Sequence, residues 1–331
     1  MKDPAFTETL LRWYGEYGRD LPWRRTHDPY AIWLSEIILQ QTRIAQGQAY
    51  WERFMARYPT VEALAAASED EVLRLWQGLG YYSRARNLLA AARQIVAQGG
   101  FPDTLEGIRA LKGVGDYTAA AICSFAFGIP AAVVDGNVYR VLSRFYGIAT
   151  PIGTTAAKKE CTALAQALLP ADNPGDFNQA MMDFGALQCT PQAPSCLTCP
   201  LAGRCEAYRT GRMALLPVRK PATAIQTRRL HYVYIRCNGE VAFRRRGPGD
   251  IWQGLWEPYL EEGDECIGFP GMKRLRSNVK HQLTHRTLLA DFYLLETSEK
   301  PTLTADYIWI PEAGLDAYAK PRLIEILLES L

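Results

Sequence analysis

Leu111-Lys112-Gly113-Val114-Gly115-Asp116-Tyr117-Thr118-Ala119 lies between two stretches of helical periodicity. Two glycines one residue apart let the backbone turn tightly, and the first N–H groups of the helix that follows have no partner within it. Those N–H groups and the helix dipole together favour an anion, a phosphate in particular. A bare Gly-x-Gly occurs at many helix corners. The flanking Leu, Tyr, Thr and Ala make the signal specific, and Gly113 and Gly115 become candidate contacts to phosphate.

On both sides of this stretch, as far as about Arg212, apolar residues recur at three- and four-residue spacing. The period predicts helices over Phe6–Tyr17, Ala31–Met55, Val61–Trp76, Arg84–Ala97 and Thr155–Leu168. Turn signals separate them at 57–60, 99–102 and 171–175. From Met213 to Thr227, with Pro217 and Pro221, no period is visible, and this stretch reads as a linker. Beyond it the character changes. His231–Cys237 is rich in β-formers, Asn238-Gly239 is a hairpin turn, and Glu240–Arg244 returns. Strand-like segments follow at Leu288–Thr297 and Ala305–Ile310, and a last helix at Pro321–Leu331. The expected organisation is a mostly α domain over 1–212, a linker over 213–227 and an α/β domain over 228–331.

Cys189, Cys196, Cys199 and Cys205 stand as C-x6-C-x2-C-x5-C within CTPQAPSCLTCPLAGRC. Four thiolates in so short a loop can surround one metal centre, and soft ligands suit iron–sulfur or zinc. Zinc ribbons usually carry two C-x2-C pairs and only one is present here, so the spacing favours a [4Fe–4S] cluster over a zinc knot. Two disulfides would require an oxidising compartment, and no secretory signal is recognisable; a reducing, bacterial-type cytosol is the expected location. The remaining cysteines, Cys123, Cys161, Cys237 and Cys266, are scattered and read as small core residues.

With 331 residues the chain can form two cores, and 48% apolar with 22% charged residues is ordinary for a globular protein. No run is apolar enough to span a bilayer, so no membrane partner is expected. A formal net charge of +2 leaves any nucleic-acid surface to local patches such as Arg84 with Arg86, Arg244 to Arg246, or Lys273, Arg274 and Arg276, each of which also reads as a solvated face.

Two carboxylates attract attention. Asp135, in Val133-Val134-Asp135-Gly136-Asn137-Val138, occupies an N-cap position. As a plain cap it needs no function, yet a carboxylate held by backbone N–H groups can also stabilise a nearby cation. Glu36 is embedded in the apolar run Ile32–Leu39. It is either a surface residue beside Ser35 and Gln40 or, facing a cleft, an acid whose pKa is raised by desolvation into the range of a general acid. An acid paired with a cation stabiliser is the apparatus for cleaving a glycosidic bond.

Taken together, several strings resemble one family. They are Leu21-Pro22-Trp23, Trp33-Leu34-Ser35-Glu36 with Leu39-Gln40-Gln41-Thr42, Gly78 to Leu88, the Gly113–Gly115 turn, Val133 to Asn137, Phe177 to Asp183 and the four cysteines. The chain resembles the helix-hairpin-helix DNA glycosylase superfamily with an iron–sulfur loop, and within it the MutY-type adenine glycosylases, nearly end to end. The resemblance implies a mostly α catalytic domain with an active cleft between two helical lobes, a MutT (Nudix)-like α/β domain, a [4Fe–4S] cofactor, monomeric action, and double-stranded DNA with adenine opposite 8-oxoguanine or guanine as partner. Glu36 would protonate adenine N7 and Asp135 would stabilise the oxocarbenium ion, with Asn137 and Tyr117 supporting. Gln179 would contact the flipped adenine, Arg19, Trp23 and Arg24 would line its pocket, and Gln41 and Tyr81 would fill the gap beside the lesion. Flipping is required because protein cannot surround the glycosidic bond inside a duplex.

At position 117 lyase members such as endonuclease III place a lysine that forms a Schiff base; Tyr117 cannot, which implies a monofunctional enzyme. Related thymine mismatch glycosylases share the tyrosine but lack the second, MutT-like domain, which Gly247–Tyr259 here resembles. That domain has no glutamate-rich helix after Trp256 to hold magnesium, so nucleotide hydrolysis is not expected. Its lesion-reading loop usually has Phe-Ser-His; here Leu283-Thr284-His285 stands in its place, keeping a hydroxyl and an imidazole but no aromatic. Between Cys189 and Cys196 relatives often carry basic residues, whereas this loop has none, and a shallower salt dependence of DNA binding is expected. A silent damage sensor is the remaining alternative, and retention of both Glu36 and Asp135 argues against it.

Overall fold

A computed structural model describes residues 3–220 and 225–331. Residues 221–224 of the expected linker lie outside the described residues. The chain divides into two compact units, one of residues 1–65 and 90–221, the other of 66–89 and 222–331.

The first unit is helical. It contains α1 (Pro4–Tyr17), α2 (Pro29–Leu39), α3 (Ile44–Arg57) and α4 (Val61–Ala65). It continues through α7 (Leu105–Arg109), α8 (Asp116–Ala126), α9 (Gly136–Tyr146), α10 (Thr155–Leu168), α11 (Pro174–Asp183) and α12 (Glu206–Arg209). Helices α5 (Glu69–Trp76) and the start of α6 (Ser83–Ala97) belong to the second unit. Apolar faces of α1, α9, α10 and α11 make one core from Phe6, Leu10, Leu142, Phe145, Leu168, Phe177 and their neighbours. Helix α2 starts with Pro29 at its first position, and Asp28 accepts from the Tyr30 and Ala31 amides. Tyr30 through Ile38 are all buried, Ser35 and Glu36 included.

Two expected long helices are each split. Over Ala31–Met55 the apolar period continues, but Gln41 adopts φ 56° and ends the hydrogen-bond ladder between α2 and α3. The second helix then packs tightly on the first: a Cβ at Gly47 would stand 2.6 Å from Leu39 Cδ2. Over Val61–Trp76 the break is Ser68, whose side chain and that of Glu71 form a reciprocal capping box at the start of α5.

In the second unit six strands, β1 (Gln226–Cys237), β2 (Glu240–Arg245), β3 (Trp256–Glu262), β4 (Lys273–Gln282), β5 (Arg286–Thr297) and β6 (Tyr307–Pro311), form one sheet in the order β4-β5-β1-β3-β2-β6. Strands β1 and β5 run parallel; the other pairs are antiparallel. Asn238 (φ 50°) and Gly239 (φ 81°) make the expected two-residue turn, with Cys237 opposite Glu240. Leu323, Ile324 and Leu327 of α13 (Arg322–Leu328) cover the face bearing Tyr232, Phe243 and Phe292. Strand β4 was not foreseen: Lys-Arg-Leu-Arg-Ser-Asn has little β-propensity, and pairing with β5 overrides it.

Candidate active site

A cavity of about 1140 Å3 opens in the helical unit, lined by residues of α1, α2, α8, α9 and α11 and of the 19–27 segment. Glu36 and Asp135 both face it.

Their surroundings are opposed. Glu36 is 8% exposed and sits on the buried helix α2. Burial pushes its pKa up to about 7, against lowering contributions from a hydrogen bond with Tyr117 and the charge of Arg24; the negative charge of Asp135 raises it further. The Tyr117 hydroxyl also lies 3.6 Å from Met182 Sδ. Burial and the neighbouring Glu36 hold Tyr117 as a neutral phenol.

Asp135 is the N-cap of α9, and its Oδ1 accepts from the Asn137 and Val138 amides, both at 2.8 Å. The Asn137 side chain donates to Oδ2 at 2.7 Å. Three N–H donors therefore fix this carboxylate at the positive end of a helix. Asn137 is held in turn by Arg140, whose Nη2 donates to Asn137 Oδ1 at 2.7 Å and to Gly185 O at 2.6 Å. Gly185 lies in a single wide turn, Phe184–Gln188, packed on the start of α9; a Cβ there would stand 2.5 Å from Asn137 Cβ.

Asp183, fully buried, gathers two arginines of the cavity lining. The Arg19 amide and Nε donate to it at 2.8 and 2.9 Å, and Arg24 forks onto both oxygens at 2.8 Å. Gln179 lies one turn earlier on α11, and its Oε1 accepts from the Tyr14 hydroxyl at 2.7 Å. Trp23 is buried and packs edge-on against Trp51. Gln41 borders the cavity in its left-handed conformation. Thus Glu36, Asp135, Asn137, Tyr117, Arg19, Trp23, Arg24, Gln41 and Gln179 are brought to one cavity. Sequence reasoning gave no role to Tyr14, Asp183, Arg140 or Gly185. Asp183 carried a signal, being an acid four residues after Gln179 on the same helix face.

Gly113 (φ 77°) and Gly115 are exposed, and Gly115 is the N-cap of α8. Leu111 and Val114 anchor the turn in the interior. No side chain caps the start of α8, and Gly115 and Asp116 are exposed there.

The four cysteines are free and half-buried around one apolar pocket with Val141, Phe145, Phe184 and Leu201. Burial, together with the charges of Cys189, Cys205 and Cys196, pushes the Cys199 thiol up to about 11. Arg144 donates to Cys189 Sγ at 3.4 Å and to Thr190 O at 2.7 Å, while Arg140 Nε donates to Cys189 O at 2.7 Å. A soft, sulfur-only donor set in an apolar shell with a cation beside it fits a [4Fe–4S] cluster, which carries net negative charge with its thiolates. No three His, Cys, Asp or Glu side chains among the described residues are grouped as ligands of a single ion.

In the sheet unit Thr284 and His285 occupy the centre of the tight β4–β5 turn, closed by the Leu283 amide on Arg286 O at 2.8 Å. Leu283 packs on the sheet core, so it keeps the apolar anchoring of an aromatic without its ring. Tyr81 is exposed at φ 47° between left-handed Gly80 and α6, and its hydroxyl is hydrogen-bonded to Thr284 Oγ1. Residues 263–272, after β3, form no helix, and Glu257 is consumed by ion pairs with Arg246 and Arg244.

Residues 34–167 match the family model described as HhH-GPD superfamily base excision DNA repair protein, and residues 231–330 match that of the NUDIX domain. The chain is similar to an adenine DNA glycosylase of Homo sapiens, 47% identical over 61% of this chain and 39% of that protein. It is also similar to the adenine DNA glycosylase of Buchnera aphidicola subsp. Schizaphis graminum (strain Sg), 34% identical over 84% of this chain and 81% of that one. The chain thus spans well under half the length of the human relative and most of the bacterial one. Among solved structures a thermostable thymine-DNA glycosylase is similar with a TM-score of 0.57 and 32% identity, covering 62% of this chain and 96% of that one. The helical unit therefore has the helix-hairpin-helix glycosylase fold, a Nudix-like sheet domain is joined to it, and the chain belongs to the adenine DNA glycosylase family.

Proposed function

We propose that this protein is a monofunctional DNA glycosylase that removes adenine mispaired with 8-oxoguanine or guanine in double-stranded DNA. The observation that carries the reading is the pair of carboxylates in one cavity: Glu36, pushed up to about 7 by burial, and Asp135, fixed by three donors at the start of α9. With Glu36 protonated near neutral pH, it can give its proton to adenine N7, and the base leaves neutral. Asp135 faces the positive charge that develops on the sugar. Tyr117 keeps the acid aligned and, lacking an amine, forms no imine with the sugar. Arg19, Trp23, Arg24 and Gln179 enclose the flipped base, and Gln41 fills the space it leaves. Gly113 and Gly115 grip phosphate through backbone amides.

Tyr81, Thr284 and His285 address the base opposite adenine. The NUDIX-domain match and the hydrogen bond between Tyr81 and Thr284 support this part. Cys189, Cys196, Cys199 and Cys205 would hold a [4Fe–4S] cluster that cross-links the 189–205 loop.

The test is single-turnover release from duplexes with adenine opposite 8-oxoguanine, alongside T:G and A:T duplexes, using alkali to reveal abasic sites. Release only from the adenine mispair, strand breaks only after alkali, and a loss of about 10²–10⁴-fold in Glu36→Gln are expected. Tight binding with no release would leave a damage sensor, and release from T:G would move the chain to the thymine enzymes.

A further inference from the structure

Tyr14, on α1, lines the cavity and makes one contact that bears on selectivity. Its hydroxyl donates to Gln179 Oε1 at 2.7 Å, the hydroxyl's only hydrogen bond among the described residues. Burial raises the Tyr14 pKa, so the phenol keeps its proton. The ring is also held in place: the Arg24 guanidinium lies 5.9 Å from its centroid and is itself forked onto Asp183. Tyr14, Arg24, Asp183 and Gln179 thus form a closed frame on one wall.

A glutamine amide is two-faced. Rotated by half a turn about its last bond, it offers a ligand either an oxygen acceptor or an NH2 donor. A neutral phenol whose proton has one acceptor takes the oxygen end. The Nε2 group of Gln179 then has no hydrogen-bond partner among the described residues and is left to the cavity.

We propose that Tyr14 is a positioning residue for base selection. By holding Gln179 with its NH2 toward the ligand, it makes the site accept a purine edge that presents a ring-nitrogen acceptor and reject one that presents N–H. Adenine has an acceptor at N1; hypoxanthine, of nearly the same shape, has N–H there. A polar site with a fixed donor discriminates such a pair because the wrong base leaves two donors facing each other. This assignment rests on the adenine-glycosylase reading above.

The experiment compares single-turnover release of adenine and of hypoxanthine, each opposite 8-oxoguanine, by the full chain and by Tyr14→Phe. The phenylalanine keeps the ring and its place beside Arg24 but frees the amide to turn. The adenine-to-hypoxanthine ratio is expected to fall about tenfold, the weight of one neutral hydrogen bond. Gln179→Glu, which presents oxygen only, should lower it further. Unchanged ratios in both variants, with both bases slowed equally, would overturn the proposal, since a merely structural role acts on both alike. A parent chain that releases no adenine would remove the glycosylase reading and this proposal together. An active parent with unaltered variant selectivity would remove this proposal alone.

Discussion

A glutamate is buried in each unit, and the two are treated in opposite ways. Glu257, wholly inside the sheet unit, receives Arg246 Nη1 at 2.5 Å, Arg244 Nε at 3.1 Å and the Tyr232 hydroxyl at 3.2 Å. Glu36, nearly as deep in the helical unit, interacts with the Tyr117 hydroxyl, and Arg24, whose charge bears on it, is committed to Asp183. Full pairing makes the first carboxylate scaffold. Under-pairing makes the second an acid that holds a proton near neutral pH, at a cost to the native state.

The comparison can be broken at either end. The largest effect on stability is expected for Glu257→Gln, which takes the buried carboxylate from Arg246 and Arg244, leaves Arg246 with Asp250 and the Ile251 carbonyl, and should cost about 3 kcal/mol in urea unfolding at pH 7. A loss near zero would mean that the ion pairs of Glu257 are ornamental. Glu36→Gln should move the other way. The pKa of Glu36 rises from 4.5 in the open chain to about 7 in the fold, so its contribution to stability is full below pH 4.5 and lost as pH climbs through 7. Above that point the glutamine variant should be more stable than its parent by up to about 3 kcal/mol, and below pH 4.5 the two should coincide. The same titration should appear in catalysis: single-turnover release should decline about tenfold per pH unit above about 7, and a flat profile to pH 9 would deny Glu36 the role of acid. The smallest effect tests the uncharged cysteine loop. Gln192→Arg should steepen the salt dependence of DNA binding by about one phosphate contact, a change of about 0.9 in log–log slope. Equal slopes would show that the loop does not approach the backbone.

The contrast also marks what a sequence can disclose. The capping role of Asp135 is local, because a side chain two and three residues before the amides it accepts from needs no tertiary information. The Asn-Gly hairpin and the Gly-x-Gly turn are legible for the same reason. The Ser68–Glu71 capping box is equally local, but an apolar period that runs through it masks the break. The burial of Glu36 is another matter. Ser35 beside it suggested a polar face, and only the packing of α2 within its unit, where nine successive residues are buried, removes that face. Tyr14 was illegible because its partner Gln179 is distant in sequence; the link from Arg140 to Asn137 is local, but its link to the Gly185 carbonyl is not.

Gly185 carries one consequence for how this chain can vary. It has no side chain to donate, accept or react, and its backbone is not in a conformation reserved for glycine. Its contribution is empty space, which Asn137 fills. An inherited change there would add a methyl group or more at the back of the residue that steadies Asp135. The injury would reach the chemistry from a position that no inventory of reactive groups would include.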